Sequence, residues 1–380
     1  MIYFDNSATT LPYKEAVDSF IAVTTKYFGN PSSLHGLGAQ AEKLLAQARK
    51  QTASLLEVKE QELYFTSGGT EGNNIAIKGA ALANQSKGKH LIVSSIEHDS
   101  VKQAAEQMKE LGFEVTYLSV TETGHVDVEA LKKEIRPDTI LVSVMHVNNE
   151  MGAIQPVEAI GRLLKDYPKT LFHVDNIQGI GKVPLSIKEA GIDLCTISAH
   201  KFHGLKGTGA LYIREGVNVF PLFSGGSQEK NIRSGTENVA GAVALAKALR
   251  MCLDAAASGN RHLKEISSFI RQGLGDIDGV RINSPEQNCA PHILNFSVPG
   301  IKTEVLIHAL EEEGIYVSTT SACSSRRKTV SDTIMMMTND EALASSSIRI
   351  SLSYENTMAE AREFLKTIET TLKKLKEVMG

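Results

Sequence analysis

No apolar run in this 380-residue chain reaches the eighteen or so residues that a membrane-spanning helix requires. The N-terminus, Met1-Ile-Tyr-Phe-Asp-Asn6, lacks a basic region followed by an apolar one, so no secretory signal peptide is expected. Cysteine is scarce. The four thiols, Cys195, Cys252, Cys289 and Cys323, are scattered without metal-ligand spacing. That pattern argues against a zinc site or a disulfide framework and for free thiols in a reducing, cytoplasmic setting, with no metal expected. Neither sign of charge dominates. The formal net charge of −4 offers no whole-chain reason to expect nucleic-acid binding. No internal repeat is found.

What is present is an ordinary globular composition, 42% hydrophobic and 22% charged, in a chain whose length favours two domains. Val17, Phe20, Ile21 and Tyr27 mark a first helix, and Leu37, Ala41, Leu44, Leu45, Ala48 and Leu55 recur at helical spacing through a second. From residue 62 onward, short strands alternate with amphipathic helices. Strands are expected at 62–66, 90–95, 114–118, 139–145, 171–174, 193–197 and 210–213, with helices at 75–83, 99–111, 127–135 and 157–166. Strands without polar alternation, separated by helices, predict an α/β fold with a mostly parallel sheet covered on both faces. A helix over 237–256 is expected to end a large domain, 14–257, at a hinge made by Ser258-Gly259-Asn260. Residues 258–380 mix helices at 261–274 and 303–312 with strands near 280–283, 292–298, 315–318 and 347–352. A final helix opens with the capping box Thr357-x-x-Glu360. Together with residues 1–13 this part reads as a smaller α+β domain. Residues 319–334, rich in Ser and Thr and holding Arg326, Arg327 and Lys328, read as a mobile loop.

Ligands of parallel sheets sit at the carboxyl ends of the strands, and the polar clusters of this chain fall there. Lys201, in Ser198-Ala-His-Lys201 ahead of Gly204, Gly207 and Gly209, is placed for imine chemistry, because a desolvated amine attacks a carbonyl. The alternative is a surface lysine in a hairpin. Glu62–Thr66 runs into Ser67-Gly-Gly-Thr-Glu-Gly-Asn-Asn74, either a cradle of N–H groups for an anion or a plain strand–helix turn. Its spacing matches neither the dinucleotide nor the Walker pattern. Asp175 either pairs with a protonated pyridine nitrogen or caps a helix. Gln178 either donates to a phenolic oxygen on such a ring or is a polar helix residue. His98 either stacks on a cofactor and shuttles protons or is structural. Asn149 either binds a substrate or cofactor oxygen or caps a loop. Arg349, in an apolar strand, demands an anion, which is either a substrate carboxylate or an internal salt bridge. Cys323, in Ser321-Ala-Cys-Ser-Ser325, is either a reactive thiol beside basic residues or an inert one.

The ordered set of motifs resembles the NifS/IscS cysteine desulfurases. It comprises Phe4-Asp-Asn-Ser-Ala-Thr-Thr10, Phe28-Gly-Asn-Pro-Ser-Ser33, Thr66-Ser-Gly-Gly-Thr-Glu71, Glu97-His98, Asn148-Asn-Glu150, Ser198-Ala-His-Lys201, Arg233-Ser-Gly-Thr236, Ser321-Ala-Cys323 and Ser346-Ser-Ile-Arg349. The resemblance covers nearly the whole chain. It implies a fold-type-I pyridoxal 5'-phosphate enzyme acting as a homodimer. Lys201 would carry the cofactor, His98 stack on its ring, Asp175 pair with the ring nitrogen and Gln178 with the ring hydroxyl. Gly69, Thr70, Ser198 and His200 would hold the phosphate, joined by Thr236 from the partner subunit. Asn149 and Arg349 would bind the L-cysteine substrate. Cys323 would take its sulfur as a persulfide, releasing alanine and serving an acceptor for iron–sulfur cluster assembly or for tRNA or cofactor thiolation.

The spacing from Cys323 to Arg349 leaves room for the long loop of the NifS/IscS branch rather than the shortened one of the SufS branch. Two departures stand out. The run after the aspartate is Asp175-Asn-Ile-Gln178, where the family usually places alanine second. The stretch after Cys323 carries Arg-Arg-Lys and then Met335-Met-Met337. Two other classes compete with the desulfurase: an aminotransferase or lyase that uses the same lysine without a catalytic thiol, and a non-catalytic binding protein of a sulfur-transfer machine.

Overall fold

The computed structural model describes residues 1–319 and 330–379. Its strands, in chain order, are β1 (Ile2–Tyr3), β2 (Leu63–Thr66), β3 (His90–Ser94), β4 (Glu114–Leu118), β5 (Thr139–Ser143), β6 (Leu171–Asp175), β7 (Leu194–Ser198), β8 (Gly209–Ile213), β9 (Arg281–Ile282), β10 (Ile293–Ser297), β11 (Ile315–Tyr316), β12 (Ser318–Thr319) and β13 (Ser347–Ser351). A seven-stranded mixed sheet has the order β2-β8-β7-β6-β5-β3-β4. β8 runs antiparallel to both its neighbours, and the other pairings are parallel.

Helices cover both faces of this sheet, and the strands show it residue by residue. Leu91 and Val93 of β3 pack with Ala104, Ala105 and Met108 of the helix Asp99–Glu110. Ile92, between them, packs on the other face with Val157 and Ile160 of the helix Val157–Leu164. Alternate side chains of a strand point to opposite faces, so two covered faces require an unbroken apolar run. That is why β3, β5, β7 and β8 are buried at every position.

The second half builds an antiparallel sheet, β12-β13-β10-β9, beside a parallel pair, β1-β11. Its core joins Phe296, Ile348 and Ile350 to Phe364, Ile368 and Leu372 of the helix Met358–Met379, and Phe4 closes it from the other end of the chain. The capping box forms: Thr357 N–H donates to Glu360 Oε2 at 2.7 Å, and Glu360 N–H to Thr357 Oγ1 at 3.2 Å.

The hinge expected at Ser258-Gly259-Asn260 is absent. One helix of 37 residues, Val239–Gly275, runs straight through it. A single glycine weakens a helix by only about 1 kcal/mol, and here neighbours absorb it. A Cβ on Gly259 would lie 2.9 Å from Cδ1 of Tyr354, whose hydroxyl donates to Asn260 Oδ1 at 3.1 Å and to the Gly181 carbonyl at 2.9 Å. The glycine makes room for a ring that pins the helix.

Two other expectations shift. Residues 332–338, placed partly in a loop by the sequence, form a helix capped by Ser331, and Met337 packs in a cluster with Met151, Ile334 and Ala344. The methionine run is therefore helical. In the first helix, Lys14–Lys26, the buried residues are Ala16 and Val23, whereas Ile21 is 53% exposed. No helix among the described residues is long and apolar enough to cross a membrane.

Candidate active site

The carboxyl ends of β2, β3, β5, β6 and β7 open into one cleft. Gly69 and Thr70 follow β2, His98 follows β3, Asn149 follows β5, Asp175 ends β6 with Gln178 just beyond, and Ser198 ends β7 with His200 and Lys201 just beyond. All of them line it, and Arg349 reaches it from β13. Two expected residues stand apart. Thr236 is exposed and does not line this cleft. Cys323 lies outside the described residues.

The floor is acidic and buried. Asp175 Oδ1 accepts from the Ile177 N–H at 3.0 Å, and Oδ2 from Asn73 Nδ2 at 2.8 Å. The contact to Ile177 is a local turn bond, and the residues that follow form turns rather than the helix that Asp175 was weighed as capping. Burial pushes its carboxyl above the ordinary range, and His98 is the largest opposing influence. Glu97 is also buried. Burial first, and then the charge of Asp175, raise it to about 8. Two neighbouring acids in a low-dielectric site do not both ionise readily, and Glu97 holds a proton near neutral pH.

His98 caps the helix Asp99–Glu110. Its Nδ1 accepts from the Ser100 N–H at 3.1 Å and lies 2.8 Å from Ser100 Oγ. Any proton this ring exchanges across the cleft therefore passes through Nε2. His200 is pushed down to about 4, by burial first and then by Lys201 and Lys206, so it is neutral at pH 7.

Lys201 ends a short turn after β7 and is largely buried. Its Nζ donates to the carbonyls of Ser7 at 2.5 Å and Ala8 at 2.8 Å. Gln178 Nε2 donates to the same Ser7 carbonyl at 3.0 Å. Ser7 and Ala8 are thus a wall of the cleft. Arg349 is 1% exposed. Its Nη2 meets Asp5 Oδ1 at 3.0 Å and its Nη1 the Asn149 carbonyl at 3.0 Å, while Nε has no hydrogen-bond partner among the described residues. The internal salt bridge is real, yet the guanidinium keeps an unused donor.

At the other end, Gly68 adopts φ +150° and ψ −173°, a region essentially confined to glycine, and a continuous helical run begins at Gly69. The first N–H groups of a helix have no acceptor within it and carry the positive end of its dipole. A Cβ on Gly69 would lie 2.2 Å from Ile177 Cδ1, so a larger residue there would have to displace that side chain, which lines the same cleft. Glu71 braces the turn, accepting from Ser67 Oγ at 2.6 Å and from Arg233 Nε at 2.9 Å. Sequence reasoning missed Ser7, Ala8, Ser100, Met145 and Ile177 as lining residues, and Asn73 behind them. Asn73 stands in the run 67–74, and Ser7 and Ala8 in the run 4–10, so these three carried a signal in the sequence.

Comparison with known proteins identifies the family. The class-V aminotransferase family matches residues 2–364. A NifS/IcsS protein homolog of Lactobacillus delbrueckii subsp. bulgaricus is 48% identical, the match covering 96% of this chain and 95% of the relative. The cysteine desulfurase IscS of Dictyoglomus turgidum is 41% identical over 99% of this chain and 96% of the relative. A solved NifS-like protein superposes with a TM-score of 0.92 at 38% identity, covering 98% of this chain and 99% of the other. The chain belongs to the class-V aminotransferase family, which depends on pyridoxal phosphate. Within that family it is a NifS/IscS-type cysteine desulfurase.

Proposed function

We propose that this chain takes sulfur from L-cysteine, releases L-alanine and holds the sulfur as a persulfide on Cys323 for transfer to an acceptor protein. The observation that carries the reading is one cleft holding a buried amine, a buried carboxylate, a helix N-terminus and a buried guanidinium.

The donor set suits pyridoxal 5'-phosphate. The anion fits the start of the helix at Gly69 and Thr70, with Ser198 and His200 beside it. Asp175, whose two oxygens each accept one hydrogen bond from the described residues, keeps lone pairs for a protonated ring nitrogen. His98 supplies a ring to stack on, Gln178 a donor for a ring hydroxyl, and Lys201 the amine. When bound, the cofactor supplies an electron sink for the carbanion at the substrate's α-carbon.

The chain's own residues do the rest. Arg349 holds the substrate carboxylate, with Asn149 beside it. Lys201 Nζ takes the α-proton and returns it. The Cys323 thiolate attacks the substrate sulfur, the bond from that sulfur to Cβ breaks, and protonation of the remaining fragment leads to alanine. The sulfur stays as Cys323–S–SH, so atoms and electrons balance without an added oxidant. Transfer onward serves iron–sulfur cluster assembly or tRNA or cofactor thiolation.

The active form is a homodimer. Leu11, Ile21, Phe28 and Leu34 expose apolar surface within one stretch of sequence, which favours a covering partner. Thr236, exposed on its own chain, supplies the phosphate site of the other. A large unit of residues 14–257 carries the cofactor site, and a smaller one, residues 1–13 with 258–380, carries Cys323. The test is alanine released from L-cysteine by the purified, yellow protein. Borohydride should fix the cofactor to Lys201, and a label on another lysine contradicts the assignment.

A further inference from the structure

Asn73 is fully buried, in the first turns of the helix that begins at Gly69. Its Nδ2 spends both hydrogens, one on Asp175 Oδ2 at 2.8 Å and one on Ser100 Oγ at 2.9 Å. Its own carbonyl, Oδ1, is buried with no hydrogen-bond partner among the described residues. A buried orphan acceptor is costly and calls for a reason. Rotating the amide would not help, because it would set the carbonyl against the carboxylate of Asp175. The observed orientation gives up one acceptor so that both donors are used.

Those donors act on the two groups that face the cofactor ring. With Ile177 on Oδ1 and Asn73 on Oδ2, the Asp175 carboxylate is held from two sides. The Ser100 N–H donates to His98 Nδ1, which makes that nitrogen an acceptor, and Ser100 Oγ, held by Asn73, turns its own proton toward it across 2.8 Å. In the neutral ring the proton then sits on Nε2. One amide ties the phosphate-binding helix, the ring-nitrogen carboxylate and the stacking histidine into a single frame.

We propose that Asn73 is a positioning residue that orients Asp175 and His98 toward the cofactor, an assignment that rests on reading the cleft as a pyridoxal-phosphate site. The test is pyridoxal 5'-phosphate affinity, measured on enzyme stripped of cofactor, for wild type, Asn73→Ala, Asp175→Ala and the double variant. Asn73→Ala is expected to weaken binding about 10- to 100-fold in the wild-type background, the loss of a hydrogen bond to a charged group. In the Asp175→Ala background its effect should shrink to a few-fold at most. An equal loss in both backgrounds overturns the assignment, since a residue that only supports the fold is indifferent to Asp175. Nitrogen-15 NMR of histidine-labelled, cofactor-free wild type should show His98 protonated on Nε2, and protonation on Nδ1 in the neutral ring overturns it as well. Failure of wild type to bind the cofactor would instead defeat the reading of the cleft.

Discussion

Lys201 Nζ donates to the carbonyl of Ser7 at 2.5 Å, across 194 positions of sequence. The same N-terminal segment holds Gln178 through Ser7 and Arg349 through Asp5. The residues proposed for substrate amine chemistry and for carboxylate recognition therefore share one wall. Lys201→Ala should lower alanine formation by about 10²- to 10⁴-fold, the usual worth of a positioned acid–base group, while the far-ultraviolet circular dichroism stays that of wild type. Turnover within a few-fold of wild type would exclude Lys201 from the chemistry.

Arg349 offers a planar fork that lysine cannot reproduce. Arg349→Lys should raise the KM for L-cysteine about 10-fold or more, because a bidentate carboxylate contact becomes a single one, with a smaller change in kcat. Steady-state kinetics on enzyme of equal cofactor content read the split. An unchanged KM would place the substrate carboxylate elsewhere.

Glu97 makes stability depend on pH in a defined sense. Its folded carboxyl is raised to about 8 from 4.5, so the folded state holds a proton that the unfolded state has released. The contribution is fully present below about pH 4.5 and is lost as pH rises through about 8, with a slope of up to about 1.4 kcal/mol per pH unit. Glu97→Gln should remove that slope. Denaturant unfolding of both proteins between pH 5 and 8 checks it, and parallel curves would contradict the burial-driven shift.

The apolar surface near the N-terminus predicts association. Wild type should sediment as a dimer at assay concentration, and Phe28→Asp should weaken the dimer, because Phe28 is 70% exposed on the single chain. Thr236→Ala should loosen cofactor retention without unfolding the chain. A fully active monomer would refute the shared site.

Much of this was readable because period and punctuation agree. Four strands of the central sheet, β3, β5, β7 and β8, are short runs buried at every position, and Glu114–Leu118 and the helix Thr303–Glu312 fall where spacing puts them. Cleft residues that end strands were visible as polar interruptions, as with Asp175 and Ser198. Two kinds of feature were hidden. Ser258-Gly259-Asn260 looks like a break, and only Tyr354, packed from far along the chain, explains why the helix continues. Ser7 and Ala8 stand in the run 4–10, but they act through backbone carbonyls, which carry no side-chain signature.

The most direct measurement is the fate of sulfur in Cys323→Ser. The account predicts that this protein keeps the absorbance of its bound cofactor, forms no alanine from L-cysteine beyond background and acquires no persulfide by mass spectrometry. Wild type should gain one sulfur on Cys323, and Cys195→Ser, Cys252→Ser and Cys289→Ser should retain most activity. Alanine released by Cys323→Ser at the wild-type rate, or the extra sulfur found on another cysteine, would contradict it.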